Sequence, residues 1–175
     1  MNLLKVYQRI SFALVGEIDS MIRRARVRDA EIVHAVLLAA REEIPLAPNF
    51  ADDAHKNWVR DECRYRRVWI FQRNEQAAGV MVMSVLEIFY LVTSPVHRKC
   101  GVAQALVEDA KARVWKRYRA TAQGRVRLEN LPVVRLLEKL DFVVDHDMVT
   151  SPGWVFYRAK PPAQRRRVGR GQEGP

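Results

Sequence analysis

The sequence of 175 residues contains only two cysteines, Cys63 and Cys100, so neither a disulfide scaffold nor a cysteine-based metal cluster is expected. It also lacks a hydrophobic run long enough to cross a bilayer, because the apolar stretch SFALVG near the N-terminus is soon followed by Glu17 and Asp19. No convincing signal-peptide cleavage site follows that stretch. These absences predict a protein without a metal or a membrane partner, located in the reducing cytoplasm.

Two glycine-rich nucleotide-binding motifs, GxxxxGK[ST] and GxGxxG, are absent as well. A basic loop with a single glycine is present instead, in HRKCGVAQAL over residues 97–106, and apolar residues at helical spacing follow it. The free N–H groups at a helix N-terminus attract an anion, and a glycine lets the anion approach the backbone. Taken alone, the loop fits a phosphate site and a basic turn before a core helix equally well.

Positive charge is in excess, with a formal net charge of +10. Such a charge indicates an anionic partner, which can be nucleic acid, an anionic membrane or a phosphate-rich cofactor. Residues 161–175 are polar and arginine-rich, which predicts a disordered basic tail. Met21 opens a stretch typical of a domain start. We therefore expect an N-terminal extension over 1–20 and a domain over 21–160, with Met21 as an alternative natural start.

Hydrophobic periodicity predicts the order strand, two helices, three strands, helix, strand, helix, two strands. The first strand is expected over 21–27, and the second helix over 49–64. Asp29 and Asn130 precede predicted helices and are residue types that favour N-caps. This order is typical of an α/β (α+β) domain with a mixed sheet.

Two segments resemble motifs of the GCN5-related N-acetyltransferase (GNAT) family. LVTSPVHRKCGVAQALVEDA resembles its central motif, a strand L-x-V-x-P followed by Arg/Gln-x-x-Gly-x-Gly/Ala and a helix; the matching positions are Leu91, Thr93, Pro95, Arg98, Gly101 and Ala103. NLPVVRLLEKLDF resembles the family's N-x-x-A-x-x-L/F-Y-x-x-x-G-F helix, with matches at Asn130, Leu136 and Phe142. The resemblance covers about residues 22 to 160.

This resemblance implies a single-domain GNAT-like fold, a mixed and mostly antiparallel sheet of about six to seven strands flanked by about four helices. The sheet would be splayed at its central strands. The implied enzyme is an N-acetyltransferase that transfers an acetyl group from acetyl-CoA, as co-substrate, to a primary amine by direct attack on the thioester. The oligomeric state stays open, with a homodimer as one option because family members are often dimers.

The resemblance also assigns site residues. Backbone N–H groups of the loop would hold the CoA pyrophosphate, and the strand before it would pair with the pantetheine arm and polarise the thioester carbonyl. The cofactor-binding residues implied are Leu91, Val92, Thr93, Arg98, Lys99, Cys100, Gly101, Val102, Ala103 and Asn130. Three positions depart from the family pattern: Lys99 and Asp141 replace glycines, and Leu137 replaces the tyrosine often assigned as the acid for the departing thiolate.

Glu87 is the candidate general base. Strict strand alternation would place Glu87, Phe89, Leu91 and Thr93 on one face of the sheet. A carboxylate buried at the centre of a splayed sheet holds a proton more readily, which suits a base that deprotonates an amine. The alternative is an exposed charge at the start of a strand.

The amine acceptor is not specified by the sequence. Glu42, Glu43, Asp52 and Asp53 form an acidic stretch that suits a cationic amine, and a solvated loop with helix-start acids explains the same residues. Leu137 leaves open a catalytically weak acyl-CoA-binding protein. A nucleic-acid or other anion-binding module is a further alternative, through ARVWKRYRA at 112–120. Its aromatic residues also fit a helix packed on a sheet, so nucleic acid is disfavoured.

Overall fold

A seven-stranded sheet forms the centre of the protein, which a computed structural model describes over residues 20–41, 52–148 and 150–162. The strand order is β1-β2-β3-β4-β5-β7-β6. Every neighbouring pair is antiparallel except β4 and β5, which run parallel. The strands are β1 (Ser20–Arg24), β2 (Val68–Arg73), β3 (Gln76–Met83), β4 (Glu87–Thr93), β5 (Gln123–Arg127), β6 (Phe142–Val144) and β7 (Trp154–Ala159).

Four α-helices in the described residues flank this sheet, so the predicted mixed sheet with flanking helices is confirmed. They are α1 (Ala30–Ala39), α2 (Asp53–Arg64), α3 (Val102–Tyr118) and α4 (Leu131–Lys139). Short 3-10 turns precede α1 and α3, at Val27–Asp29 and Pro95–His97. The order of the elements is the one that the hydrophobic periodicity predicted.

The two faces of the sheet carry separate hydrophobic clusters. The α1–α2 core lies between α1, α2 and the strands β2 to β4, and its fully buried members include Val33, Leu37, Val59, Val68, Ile70, Val80 and Val82. The α3–α4 core lies on the other face and includes Met81, Val102, Leu106, Val107, Val114, Leu137, Phe142 and Tyr157. The central strands β3 and β4 contribute residues to both clusters, because successive side chains of a strand point to opposite faces.

The first connection differs from its prediction. β1 ends at Arg24 instead of reaching residue 27. Asp29 occupies the N-cap position of α1, but its side chain makes no cap bond to that helix. Its carboxylate accepts from the Arg26 amide at 2.7 Å and from the Arg23 guanidinium at 2.8 and 2.9 Å. The hydrogen bond from Arg23 lowers the pKa of Asp29, so this buried ion pair joins β1 to the start of α1.

Several sequence predictions lie outside the described residues. These are the N-terminal extension up to residue 19, the acidic residues Glu42 and Glu43, and the basic tail from residue 163. The predicted second helix begins at Asp53 and not at residue 49, because Asp52 is extended and caps the helix. The proposed domain boundaries stay predictions. Among the described residues, no helix is long and apolar enough to span a bilayer.

Candidate cofactor and acyl-transfer site

The sheet opens where β4 and β5 separate. Their parallel ladder consists of two pairs, Glu87 with Gln123 and Ile88 with Gly124. On its other side β4 stays paired with β3 as far as Thr93. The part of β4 after Ile88 therefore turns one backbone edge toward the gap, where its N–H and C=O groups can pair with an extended ligand. The predicted splay of the central strands is confirmed.

A β-bulge in β4 sets which side chains face each side of this gap. Val82 of β3 pairs with Tyr90, and the next residue, Met83, pairs with Ile88, so Phe89 is the extra residue. Ile88 and Leu91 both pack on the α3–α4 core, whereas Tyr90 packs on the α1–α2 core. The predicted common face for the set Glu87, Phe89, Leu91 and Thr93 is therefore wrong. Strict alternation fails once one extra residue enters the strand.

The basic loop follows β4 directly and ends at the N-terminus of α3. The Ser94 amide donates to the Ala78 carbonyl at 2.9 Å, which anchors the loop to β3. Lys99 has φ 58° and Gly101 has φ 79°, so two left-handed residues turn the chain into the helix. Lys99, Cys100 and Gly101 are exposed, while Val102 is buried beneath them. This turn directs the first N–H groups of α3 toward solvent beside the open edge of β4.

Gly101 has the geometry of a close-approach position. Apart from its neighbours along the chain, no atom of the described residues would lie within 4 Å of a Cβ atom added to it, so the space in front of its backbone is open there. Its positive φ is also a conformation that favours glycine. The loop residues predicted to bind the cofactor, Arg98 to Ala103, are thus brought together around an open, positively charged helix N-terminus. That donor set suits a diphosphate.

Gly79 of β3 lets the N-terminal end of α3 pack closely on the sheet. Sequence reasoning missed this residue. A Cβ atom at Gly79 would lie 2.5 Å from Val102 Cγ1, 3.1 Å from the Val92 carbonyl oxygen and 3.3 Å from Leu106 Cδ1. Only glycine lets the first turn of α3 approach β3 so closely. An isolated glycine inside a strand pattern was the available sequence signal.

Glu87 begins β4 at the point from which the strands diverge. Its side chain is 19% exposed, and its Oε1 accepts from Arg125 Nε at 3.0 Å. Because it directly precedes Ile88, Glu87 lies on the opposite face from Ile88, which is the face of Tyr90 and the α1–α2 core. Glu87 is therefore neither at the buried centre of the sheet nor fully exposed: it is a shielded carboxylate held by an arginine on the neighbouring strand.

A leucine stands at the position where the family has its tyrosine. Leu137 is buried in the α3–α4 core, and Tyr157 of β7 belongs to the same cluster. Tyr157 pairs with Gly124, the residue that also forms the last pair with β4. Burial raises the pKa of Tyr157, and the charge of Glu138 raises it further, so the phenol keeps its proton at neutral pH. Sequence reasoning missed Tyr157, because pairing between β5 and β7 is not visible in the local pattern.

Other predicted residues have structural roles that the coordinates make plain. Asp52 caps α2 by accepting from the His55 amide at 2.7 Å, and Asp53 pairs with Lys56 at 3.1 Å. Asn130 takes the predicted N-cap position of α4, but its side chain makes no cap bond to the helix; its carbonyl accepts from two amides of the helix. Asp141 has φ 62°, as the substitution for a family glycine requires.

The two cysteines differ in environment. Cys63 is buried in the α1–α2 core, and burial raises its pKa to about 11, which makes its thiol inert. Cys100 is exposed in the loop. Among the described residues, no group of three or more His, Cys, Asp or Glu side chains could hold a metal ion.

A scan against protein-family models finds a match to the acetyltransferase (GNAT) family over residues 33–142. This match covers most of the sheet, the splayed strand β4 and the whole of the loop and α3. No curated protein matches the chain.

Solved structures with this fold cover most of the chain. The PaiA N-acetyltransferase of Thermoplasma acidophilum, in complex with coenzyme A, aligns with a TM-score of 0.69 at 13% identity over 82% of this chain and 99% of that chain. An N-acetyltransferase of Staphylococcus aureus Mu50 aligns with a TM-score of 0.61 at 15% identity, covering 80% and 97%. The diaminobutyrate acetyltransferase EctA of Paenibacillus lautus, in complex with L-2,4-diaminobutyric acid and coenzyme A, gives 0.61 at 13% identity, covering 82% and 96%.

Proposed function

The chain belongs to the acetyltransferase (GNAT) family, and on that premise we propose that it transfers an acetyl group from acetyl-CoA to a primary amine. The observation that carries the proposal is the left-handed, open Gly101 at the head of α3, beside the unpaired edge of β4. Two relatives of the same fold were solved with coenzyme A, which supports a CoA site here. The reaction class follows from the family.

The loop would hold the pyrophosphate of acetyl-CoA. N–H groups from Cys100 to Ala103 are the donors, and the charges of Arg98 and Lys99 add attraction. The three exposed positions Lys99, Cys100 and Gly101 leave the backbone accessible to two phosphate groups. The Cys100 thiol has no part in this role; its amide does.

The free edge of β4 would bind the pantetheine arm. Leu91, Val92 and Thr93 keep their pairs with β3, so their geometry is fixed before any ligand binds. An extended arm adds to that edge as a further strand, and its register is set by backbone hydrogen bonds. An N–H group of the same edge can polarise the thioester carbonyl and stabilise the oxyanion that forms on attack.

Glu87 would act as the general base. The acceptor is an ammonium ion at neutral pH, so one proton must leave the nitrogen before the lone pair can attack. Arg125 orients the carboxylate by donating to its Oε1, on the side of the sheet where Tyr90 points. The amine nitrogen then forms a bond to the acetyl carbon and passes its second proton to solvent water. The tetrahedral oxyanion collapses, and the C–S bond breaks to release CoA thiolate.

The proton that neutralises the thiolate cannot come from Leu137, which has no ionisable group. Two donors remain, solvent water and the hydroxyl of Tyr157 in the same cluster. A thiol has a pKa of about 8.5, so the thiolate is a good leaving group even without an acid. Loss of the family tyrosine is thus compatible with turnover. Cytoplasmic location and a homodimer stay predictions.

The proposal is tested by calorimetric titration with coenzyme A. Gly101→Ala places a methyl group in the open space in front of the loop, and Gly153→Ala is the matched control, because Gly153 has φ 81° in a loop before β7. Both variants carry similar backbone strain. We expect Gly101→Ala to weaken CoA binding about tenfold or more, because it should lose about one charge-assisted hydrogen bond. Gly153→Ala should leave CoA binding unchanged.

Absence of CoA binding by the intact protein would refute the proposal outright. Equal affinities for the two variants would remove the loop from the CoA site. CoA binding without acetyl transfer to any member of a broad amine panel would instead favour an acyl-CoA-binding protein without catalysis, the alternative that Leu137 motivates.

A further inference from the structure

Four arginines from three separate elements meet on the face of the sheet that α3 covers. Arg24 ends β1, Arg66 lies in the turn between α2 and β2, and Arg113 and Arg117 lie on the C-terminal half of α3. We call these four residues, with the neighbouring Tyr118, the arginine patch. The charges of Arg66, Arg113 and Arg117 all act on Arg24. They lie far apart in sequence, so only the fold assembles them.

Trp69 of β2 holds two of these guanidinium groups in place. The Cζ atom of Arg24 lies 4.4 Å from the centre of the Trp69 ring, and the Cζ atom of Arg113 lies 3.8 Å from the same ring centre. Trp69 is only 6% exposed and pairs with Arg24 across the β1–β2 ladder. Contact with the indole fixes the position of each guanidinium, so both are preorganised for ligands that accept forked hydrogen bonds.

The patch has more positive charge than its protein partners neutralise. Arg113 Nε contacts Asp109 at 2.5 Å, which is the one carboxylate paired with these four guanidinium groups among residues 20–41, 52–148 and 150–162. Burial and the three neighbouring arginines lower the pKa of Arg24. Its Nε is buried without a hydrogen-bond partner in the part of the chain that the structure describes. Like charges held this close repel each other, and an anion bound among them removes that cost.

Exposed aromatic rings border the patch. Tyr118 is 42% exposed and lies beneath Arg117, with 5.3 Å from the Cζ to the ring centre. Tyr65 is 63% exposed next to Arg66, and Arg67 lies over its ring at 5.4 Å. The expectation that the aromatics of 112–120 pack on the sheet is therefore wrong for Tyr118. An exposed tyrosine beside guanidinium groups is a surface on which a nucleobase can stack.

We propose that the arginine patch binds single-stranded nucleic acid, with its guanidinium groups on the phosphates and Tyr118 stacked on a base. Phosphate oxygens match the forked donors of arginine, and their negative charge compensates the cluster. The stacking surface favours a nucleic acid over an anionic membrane or an acidic protein, since neither of these has planar bases. This reverses the sequence-based expectation that nucleic acid is not a partner. The patch lies at the end of α3 opposite the loop, so it is separate from the acyl-transfer site.

The test is fluorescence anisotropy of a labelled single-stranded RNA oligonucleotide with the full-length protein over a series of salt concentrations. The double variant Arg66→Gln/Arg117→Gln removes two exposed charges of the patch. Arg135→Gln/Lys160→Gln removes two exposed charges on α4 and after β7, so it matches the change in net charge. We expect the patch variant to bind about 25-fold more weakly at 0.1 M salt and its salt slope to fall by about 1.4. The control variant should lose little affinity.

A third variant separates nucleic acid from other polyanions. Tyr118→Ser should weaken RNA binding about tenfold while leaving the binding of inorganic polyphosphate unchanged, because polyphosphate has no bases to stack. Equal losses for the patch and control variants would overturn the proposal and assign the affinity to diffuse charge. An unchanged RNA affinity for Tyr118→Ser, or sedimentation with phosphatidylserine vesicles without RNA binding, would overturn the nucleic-acid assignment.

Discussion

Glu87 and Arg125 form the ion pair on which the proposed chemistry depends. The carboxylate is shielded, and the arginine is mostly exposed, so the pair lies at the edge of the gap between β4 and β5. The hydrogen bond from Arg125 Nε holds the Glu87 carboxylate in one orientation. Orientation matters here, because the acceptor must be deprotonated at one defined position next to the thioester.

We predict that Glu87→Gln lowers kcat about 100-fold with CoA affinity unchanged, because the amide cannot take a proton. Glu129→Gln is the control: it removes another carboxylate that pairs with an arginine of β5, because exposed Glu129 lies 2.7 Å from Arg127, away from the gap. Steady-state kinetics would measure both variants. A fully active Glu87→Gln enzyme would show that water or another group is the base.

At the residue scale the sequence predicted conformation better than orientation. Left-handed backbone at Gly101 and Asp141 follows from residue type and motif position, and the structure has both. The face on which Glu87 lies did not follow, because the bulge at Phe89 changes the alternation and depends on how β4 pairs with β3. Tyr157 was missed for a related reason: its neighbour Gly124 is distant in sequence.

At the scale of elements, the seat of α3 on β3 controls the loop. Val102 is fully buried at the start of the helix and fills the space that Gly79 leaves open. A shift of this helix end displaces every amide that would contact the pyrophosphate. The geometry of the cofactor site therefore depends on a glycine that faces the core and touches no ligand.

We predict that Gly79→Ala destabilises the protein by about 1–3 kcal/mol and weakens CoA binding, because the new methyl group would lie 2.5 Å from Val102 Cγ1. Denaturant unfolding and calorimetric titration measure the two effects. The double variant Gly79→Ala/Val102→Ala removes the 2.5 Å contact but keeps the one of 3.1 Å to the Val92 carbonyl oxygen, so it should restore part of the CoA affinity. Normal binding by the single variant would mean that the helix end adapts without moving the loop.

The order of elements could be predicted because each has a strong hydrophobic period and clear breakers, as in the 17-residue helix α3. Helix caps were less predictable. Asp29 is the right residue type for an N-cap, but Arg23 on β1 binds its carboxylate. A tertiary ion pair of this kind is invisible to a rule that considers only neighbours in sequence.

At the scale of the whole molecule, two clusters of positive charge lie at opposite ends of α3, in a chain whose net charge is +10. The loop residues Arg98 and Lys99 lie at the N-terminus of α3, where the helix dipole also attracts anions. The arginine patch lies near its C-terminus. Fifteen residues of helix separate Val102 from Arg117, a distance of about 22 Å along the axis. That distance exceeds twice the Debye length of about 8 Å at physiological salt. The electrostatic interaction between the loop and the arginine patch is therefore largely screened.

We therefore predict that coenzyme A and single-stranded RNA bind at the same time and independently. The CoA dissociation constant, measured by calorimetry at 0.15 M salt, should change less than about twofold when the protein is saturated with RNA. The Arg66→Gln/Arg117→Gln variant should bind CoA as the wild type does, whereas Gly101→Ala should bind RNA normally. Displacement of RNA by CoA would mean that one anion site at the head of α3 takes both ligands. In that case the excess charge would serve the cofactor, and the patch would have no ligand of its own.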